Sequence, residues 1–324
     1  MVKRRMKVNP RICHKTRREY MNKSRKLRRY LPLYLMALPC LIYIFCNNYL
    51  PMFGIIIAFK KLNFAKGIFG SPWNGFNNFK FLFTTQDAWV ITRNTVLYNV
   101  VFIIVGMICS ITVAILLNEI RSKTAGKFYQ SAILIPHLMS WVIVSYIAYA
   151  LLSNETGLIN NSILKSMGKE AVNWYGEKRY WPFILVFVNQ WKGIGFSTIV
   201  YLSSIVGISQ DYYEAARIDG ATKWQQIRYI TLPLIKPTVI TLLILSLGRI
   251  FNSDFGLFYQ LPRNSGILYD VTNTIDVYVY NALMNNNDFA KSSAASVYQA
   301  VVGFVLVLTT NGIIRKVDRE NALF

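Results

Sequence analysis

Long apolar runs alternate with short polar connections along this chain, and six of the runs reach spanning length, about 20 residues at about 1.5 Å rise each. They are Leu31 to Leu50, Thr95 to Leu117, Phe128 to Leu152, Trp181 to Val206, Pro237 to Phe258 and Ala294 to Ile314. The second, third, fifth and sixth are clean. The fourth carries Asn189, Gln190, Trp191 and Lys192, and the first holds Pro32 and Pro39, which a membrane helix tolerates near its start or as a kink. The pattern predicts an all-α membrane protein of six transmembrane helices. A basic segment, residues 1–30, precedes one membrane domain, residues 31–324.

Composition agrees with the pattern: of 324 residues, 53% are hydrophobic and only 16% charged, too apolar a balance for a soluble protein of this size. A net charge of +21 would suggest nucleic acid in a soluble protein, but here the basic residues flank the apolar runs and no nucleic-acid fold accompanies them. They carry topology. The first 30 residues hold thirteen Lys and Arg against one acid, Glu19, which keeps the N-terminus in the cytoplasm, and six crossings return the C-terminus there. Arg121, Lys123 and Lys127 between the second and third runs, and Arg315, Lys316 and Arg319 after the sixth, fit the same inner side. Attraction to anionic lipid heads is the other role of the basic segment. The first outer loop, Pro51 to Arg93, fits less well, being basic at Lys60, Lys61, Lys66 and Lys80. Its aromatic residues suggest that part of it lies flat at the interface. The first apolar run is of spanning length with no small-residue cleavage site, so it reads as a span and not as a signal peptide.

Several chemistries find no residues. The cysteines, at 13, 40, 46 and 109, form no C-x-x-C pair, and His14 and His137 are far apart, so no zinc or redox ligand set is expected. There is no P-loop and no G-x-S-x-G elbow, so the chain is expected to be no enzyme, with no cofactor or metal of its own.

The loop between the fourth and fifth runs, residues 207–236, is polar enough to leave the membrane and is built as two short helices. Ser209 can cap the first, with Asp211 in its first turn. Tyr212, Ala215, Ala216 and Ile218 fall largely toward one side. Gly220 can supply the left-handed residue that ends this helix, and a second helix from about Thr222 is expected to stop at Pro233.

Glu214-Ala215-Ala216, then Gly220 after three residues, then Ile230-Thr231-Leu232-Pro233 after nine more, resembles the EAA loop, E-A-A-x3-G-x9-I-x-L-P, of ABC importer permeases at every position. Trp191, Gly195, Tyr201, Leu202 and Asp219-Gly220-Ala221 are similar to maltose-like carbohydrate permeases. The basic N-terminus and the ending Glu320 to Phe324 resemble the subgroup that handles oligo- and polysaccharides. The likeness runs nearly the whole chain from Leu31.

The resemblance implies a type I importer permease fold in the bacterial inner membrane, with a cytoplasmic coupling helix that sits in a cleft of a separate ATPase. Tyr213, Glu214, Ala215, Ala216, Asp219, Gly220, Leu232 and Pro233 would form that coupling site. It also implies a second, related permease chain, two ATP-binding subunits that hold ATP and magnesium, and an extracytoplasmic solute-binding protein. An ordinary amphipathic connecting helix would account for any one of these residues, but not for the joint pattern.

Charges at membrane depth mark the candidate substrate path. Lys192 and Arg249 lie near the middle of their runs, where a charge costs about 2.5–3.5 kcal/mol on insertion scales and must face protein or water. Asn189, Asn252 and Asp254 fall at similar depths, and Trp191, Trp141 and Tyr146 offer faces for sugar rings. A purely structural pair, Arg249 with Asp254 or Lys192 with a neighbour, is the alternative. At the level of function the alternatives are a secondary, ion-coupled transporter, for which neither an internal repeat nor paired broken helices is visible, and a membrane scaffold or enzyme, for which no catalytic constellation is visible.

Overall fold

The computed structural model describes residues 30–317, so the basic segment, Arg319 and the ending Glu320 to Phe324 lie outside the described residues. Two compact units divide the chain, Met1–Ile56 and Ile57–Phe324. The first unit is represented by one apolar helix, part of α1 (Tyr30–Phe59), which widens to a π-turn over Phe45–Tyr49.

In the second unit, α2 (Gln86–Asn118) opens on a Thr85 hydroxyl that accepts from the Ala88 amide, with Asp87 in its first turn. It therefore begins nine residues before the run read from hydropathy, and the last eight residues of the expected outer loop belong to it. The remainder of that loop folds on its own aromatics: Phe59 meets Trp73, Phe76 and Phe79 at 5.8, 5.5 and 5.2 Å between ring centroids.

The expected third span is two helices. α3 (Lys123–Leu138) and α4 (Trp141–Leu152) meet at 96° across Met139 and Ser140. Pro136 removes one hydrogen bond from the last turn of α3, Met139 turns extended, and the Ser140 hydroxyl accepts from the Ile143 amide to start α4 afresh. Ser140, which lies inside the apolar run read as one span, is an N-cap.

α5 (Trp181–Val206) coincides with the expected fourth span and packs along α2 and α3. At Gly195 a β-carbon would stand 2.1 Å from the Ile133 carbonyl oxygen, so the backbones of α5 and α3 touch. α6 (Gln210–Ile218) and α7 (Lys223–Leu247) follow. Pro233 does not stop α7. The helix widens to a π-turn over Ile227–Thr231, where the Leu232 amide bonds the Ile227 carbonyl, and this looser turn admits the ring that an ideal helix rejects.

α7 also ends eleven residues before the expected Phe258. After Leu247 the chain unwinds through Asp254 and resumes as a helical turn over Gly256–Gln260. α8 (Ile275–Met284) and α9 (Phe289–Val317) complete the unit, the latter enclosing the expected sixth span. Among the described residues, five helices are long and apolar enough to cross a membrane, or six if the bent α3–α4 pair crosses once. Among the described residues there is no strand beyond the isolated Lys60–Trp73 bridge, as expected where backbone polar groups must be satisfied within each segment.

Candidate functional site

Two regions gather the residues singled out by the sequence. The first is the turn between α6 and α7. Ser209 caps α6, its hydroxyl accepting from the Asp211 amide. At the other end the Gly220 amide bonds the Arg217 carbonyl and the Ala221 amide bonds Ala216 at 2.8 Å, the paired bonds of a Schellman close, with Gly220 at φ +79°. Thr222 then caps α7 in a reciprocal box with Gln225. One residue, Ala221, separates the two caps, so the turn has little freedom.

Side chains tie this corner to the bundle. The Tyr213 hydroxyl lies 2.9 Å from that of Thr231. Lys223 pairs with Glu119 at 2.7 Å and thereby neutralises an acid at the C-terminal end of α2, where the helix dipole disfavours it. The opposite face of α6 is uncovered. Glu214 and Ala215 are exposed, Tyr212 is 58% exposed and Ile218 87%, and Glu214 makes no ion pair among the described residues. Asp219 is exposed at the helix end, and Leu232 and Pro233 lie just past the π-turn. Trp224 and Tyr229 of α7 are each 68% exposed, so the apolar face expected on α6 continues onto α7 without burial in this chain.

The second region is a polar cavity of about 580 Å³ where α2, α5 and the unwound end of α7 meet. Asn189, Arg249, Asn252 and Asp254 all line it. Arg249 is not in mid-helix: it follows the C-terminal end of α7, at the start of the unwound segment. That segment survives because side chains from other helices take its carbonyls. Asn99 donates to the carbonyls of Ile250 and Asn252, each at 3.0 Å, and Gln299 donates to that of Phe251 at 2.8 Å. Asp276 accepts from the amide and hydroxyl of Ser253, both at 2.7 Å. Sequence reasoning missed Asn99, Asp276 and Gln299.

Of the two suggested structural pairs, Arg249 with Asp254 does not form, whereas Lys192 does meet neighbours, on a different helix. Among the described residues Arg249 and Asp254 make no ion pair. Asp254 instead accepts from the Trp141 indole at 2.8 Å and from the Leu257 amide at 3.3 Å, capping the turn that follows. Lys192 reaches the open end of α3, donating to the carbonyls of His137 at 2.9 Å and Pro136 at 3.4 Å, and its ammonium lies 5.1 Å from the Trp141 ring. A cation there meets the negative end of the helix dipole, sharing the Pro136 carbonyl with the Met139 amide, which bonds it at 3.3 Å. The contacts from Lys192 over the Trp141 ring and from the Trp141 indole to Asp254 therefore fasten the α3–α4 corner to the break after α7. Replacing Lys192 with Met, which keeps the aliphatic stem, is expected to cost about 1–2 kcal/mol. A lowered thermal midpoint of the detergent-solubilised protein checks this, and an unchanged midpoint refutes it. Trp191 lines neither this cavity nor the smaller one that holds Tyr146.

Residues 102–320 match the family model described as "Binding-protein-dependent transport system inner membrane component". The polygalacturonan/rhamnogalacturonan transport system permease protein YteP of Bacillus subtilis is 37% identical over 89% of each chain. The trehalose/maltose transport system permease protein MalF of Thermococcus litoralis is 32% identical over 88% of this chain and 93% of its own. Among solved structures, a chain of a bacterial ABC transporter involved in the import of the acidic polysaccharide alginate superposes with a TM-score of 0.83 at 33% identity. The match covers 92% of this chain and 99% of that one. The fold is that of type I ABC importer permeases. Family, relatives and architecture agree, and the chain belongs to the inner-membrane components of binding-protein-dependent transport systems, the multi-pass permease subunits of ABC importers.

Proposed function

We propose that this chain is one half of the translocation pathway for an oligo- or polysaccharide and that α6 docks into a separate ATP-hydrolysing subunit. The observation that carries the reading is the uncovered α6: a helix fixed at both ends, yet with Glu214 unpaired and Ile218 in the open, is built to be completed by another protein. Glu214 offers a carboxylate to a basic partner, and Ala215 lets a backbone come close. Tyr213, Asp219, Gly220, Leu232 and Pro233 set the angle at which the helix is presented. ATP and magnesium belong to two such partner subunits, and this chain has no hydrolytic site or cofactor of its own. A second, related permease chain closes the pathway, and an extracytoplasmic binding protein delivers ligand.

The saccharide is supported by the sugars that the relatives are named for, together with the polar cavity at Asn189, Asn252 and Asp254 and the aromatic Trp141 beside it. In reconstituted complexes, sugar-loaded binding protein is expected to stimulate ATP hydrolysis, and Glu214→Ala to reduce that stimulation roughly tenfold through loss of one charge-assisted contact. Wild-type stimulation in the variant removes Glu214 from the docking site. Both termini and α6 face the cytoplasm in this reading. A lone cysteine at exposed position Gln210 should therefore resist membrane-impermeant maleimide added to intact cells and react after permeabilisation. Labelling from outside overturns the topology.

A further inference from the structure

A smaller cavity of about 250 Å³ lies between α4 and the turn that follows Gln260. Tyr146, Tyr149 and Tyr259 supply its aromatic walls, with Arg263 and Asn264 at its rim. No acid lines it. The Arg263 guanidinium lies 4.2 Å from the centroid of the Tyr149 ring, and among the described residues it makes no ion pair. A guanidinium held over an aromatic ring by cation–π attraction still has N–H donors to offer, in the fork that matches a carboxylate.

The backbone holds these groups in an unfavourable conformation. Arg263 and Asn264 have consecutive positive φ, +56° and +49°, a region that side-chain-bearing residues rarely occupy. The turn is nevertheless fixed: the Asn264 amide bonds the Tyr259 carbonyl at 3.0 Å, and the Asn264 side chain bonds Asn281 and Tyr269. Tyr175 braces the wall from behind, 5.7 Å from Tyr149 and 5.2 Å from Trp181 between ring centroids, with its hydroxyl on the Leu261 carbonyl. Burial pushes that hydroxyl up to about 12, against the lowering effect of Arg263 nearby. Tyr175 therefore stays a neutral donor.

The cavity sits at the Trp181 end of α5, whereas α6 follows its Val206 end, about 39 Å away by helix rise over 26 residues. Following α4 from Tyr149 back to Trp141 leads to Asp254 and the larger cavity. With α6 cytoplasmic, as proposed above, the smaller cavity stands on the outer approach to the larger one.

We infer that Tyr146, Tyr149, Tyr259 and Arg263 form an outer subsite for one uronic-acid ring of an acidic oligosaccharide, the tyrosines stacking on the sugar and Arg263 binding its carboxylate. The inference rests on the saccharide reading and adds to it a charge class and a place. A volume of this size suits about one ring, so the subsite selects on a single unit of a longer chain.

The test uses the purified importer complex in nanodiscs, with saturation-transfer NMR of digalacturonate and of its carboxyl-reduced, neutral counterpart. Wild type is expected to favour the acid about tenfold or more, and Arg263→Gln to bring the two ligands level. Arg263→Lys should restore part of the preference, because the charge returns without the fork. Co-purification of each variant with the ATPase subunit certifies assembly. An undiminished preference in Arg263→Gln overturns the subsite. So does a preference lost in Arg249→Gln but kept in Arg263→Gln, which would move carboxylate recognition to the larger cavity. Absence of any wild-type preference overturns it too. Failure of the saccharide reading itself is seen separately, as wild-type hydrolysis that no sugar-loaded binding protein stimulates.

Discussion

Gly220→Val is expected to insert and fold yet to lose most of its ligand-stimulated ATP hydrolysis. At φ +79° a β-branched residue is strained by roughly 1–3 kcal/mol. Nothing lies within 4 Å of where the new β-carbon would stand, so the cost is one of backbone conformation and not of collision. The cheapest relief is to give up the Ala221 to Ala216 bond and let α6 leave its angle. A shift of 1–2 kcal/mol changes the population of the competent arrangement roughly five- to thirtyfold, and stimulated hydrolysis should fall in proportion. Asn tolerates the left-handed region, so Gly220→Asn should retain far more activity than Gly220→Val, with Gly220→Ala between them. Equal activity in all three variants would mean that the turn does not set the angle of α6.

The second large effect is expected at Gly195, and it concerns assembly. A β-carbon at this position meets the Ile133 carbonyl oxygen at 2.1 Å and its carbon at 2.9 Å, both backbone atoms that no side-chain rotation can clear. Gly195→Val must therefore part α5 from α3, at a cost above about 3 kcal/mol. The variant should fail to yield a stable protein in detergent. Gly193, two residues away on the same helix, has open space around its Cβ position, so Gly193→Ala should be neutral or stabilise by about 0.5–1 kcal/mol. Size-exclusion profiles and thermal midpoints of the two variants decide the matter. Comparable behaviour would show that the α5–α3 contact is not close in the membrane.

The contrast between those two glycines shows where sequence reasoning stopped. Both sit in one polar-apolar stretch, and only the arrival of α3, some sixty residues earlier in the chain, tells them apart. Local signals were legible: the Ser209 cap, the left-handed close at Gly220 and the spanning length of α5 depend on neighbours a few residues away. Hydropathy, which averages over a window, hid the corner at Met139 and Ser140, although Pro136 and the capping serine were there to be read together. It also carried the fifth span past Leu247, because the residues that stabilise the unwound segment, Asn99, Asp276 and Gln299, come from α2, α8 and α9. Lys192 was correctly marked as a charge that needs a reason. Its partners are backbone carbonyls, which carry no residue type and leave no trace in a sequence.

The exposed helix α6 is held by groups that its outer face does not contain: backbone bonds at Gly220 and Ala221, the Thr222 box, and Tyr213 turned inward to Thr231. Position and identity are thus recorded in different residues. If α6 is the docking helix proposed above, substitutions at Gln210, Tyr212, Glu214 or Ile218 should retune which ATPase subunit is accepted without tilting the helix, while changes at the turn should tilt it for every such partner alike. On that reading, a duplicated copy of this chain could acquire a new ATPase partner by drift on one helical face, the groups that hold the helix left untouched.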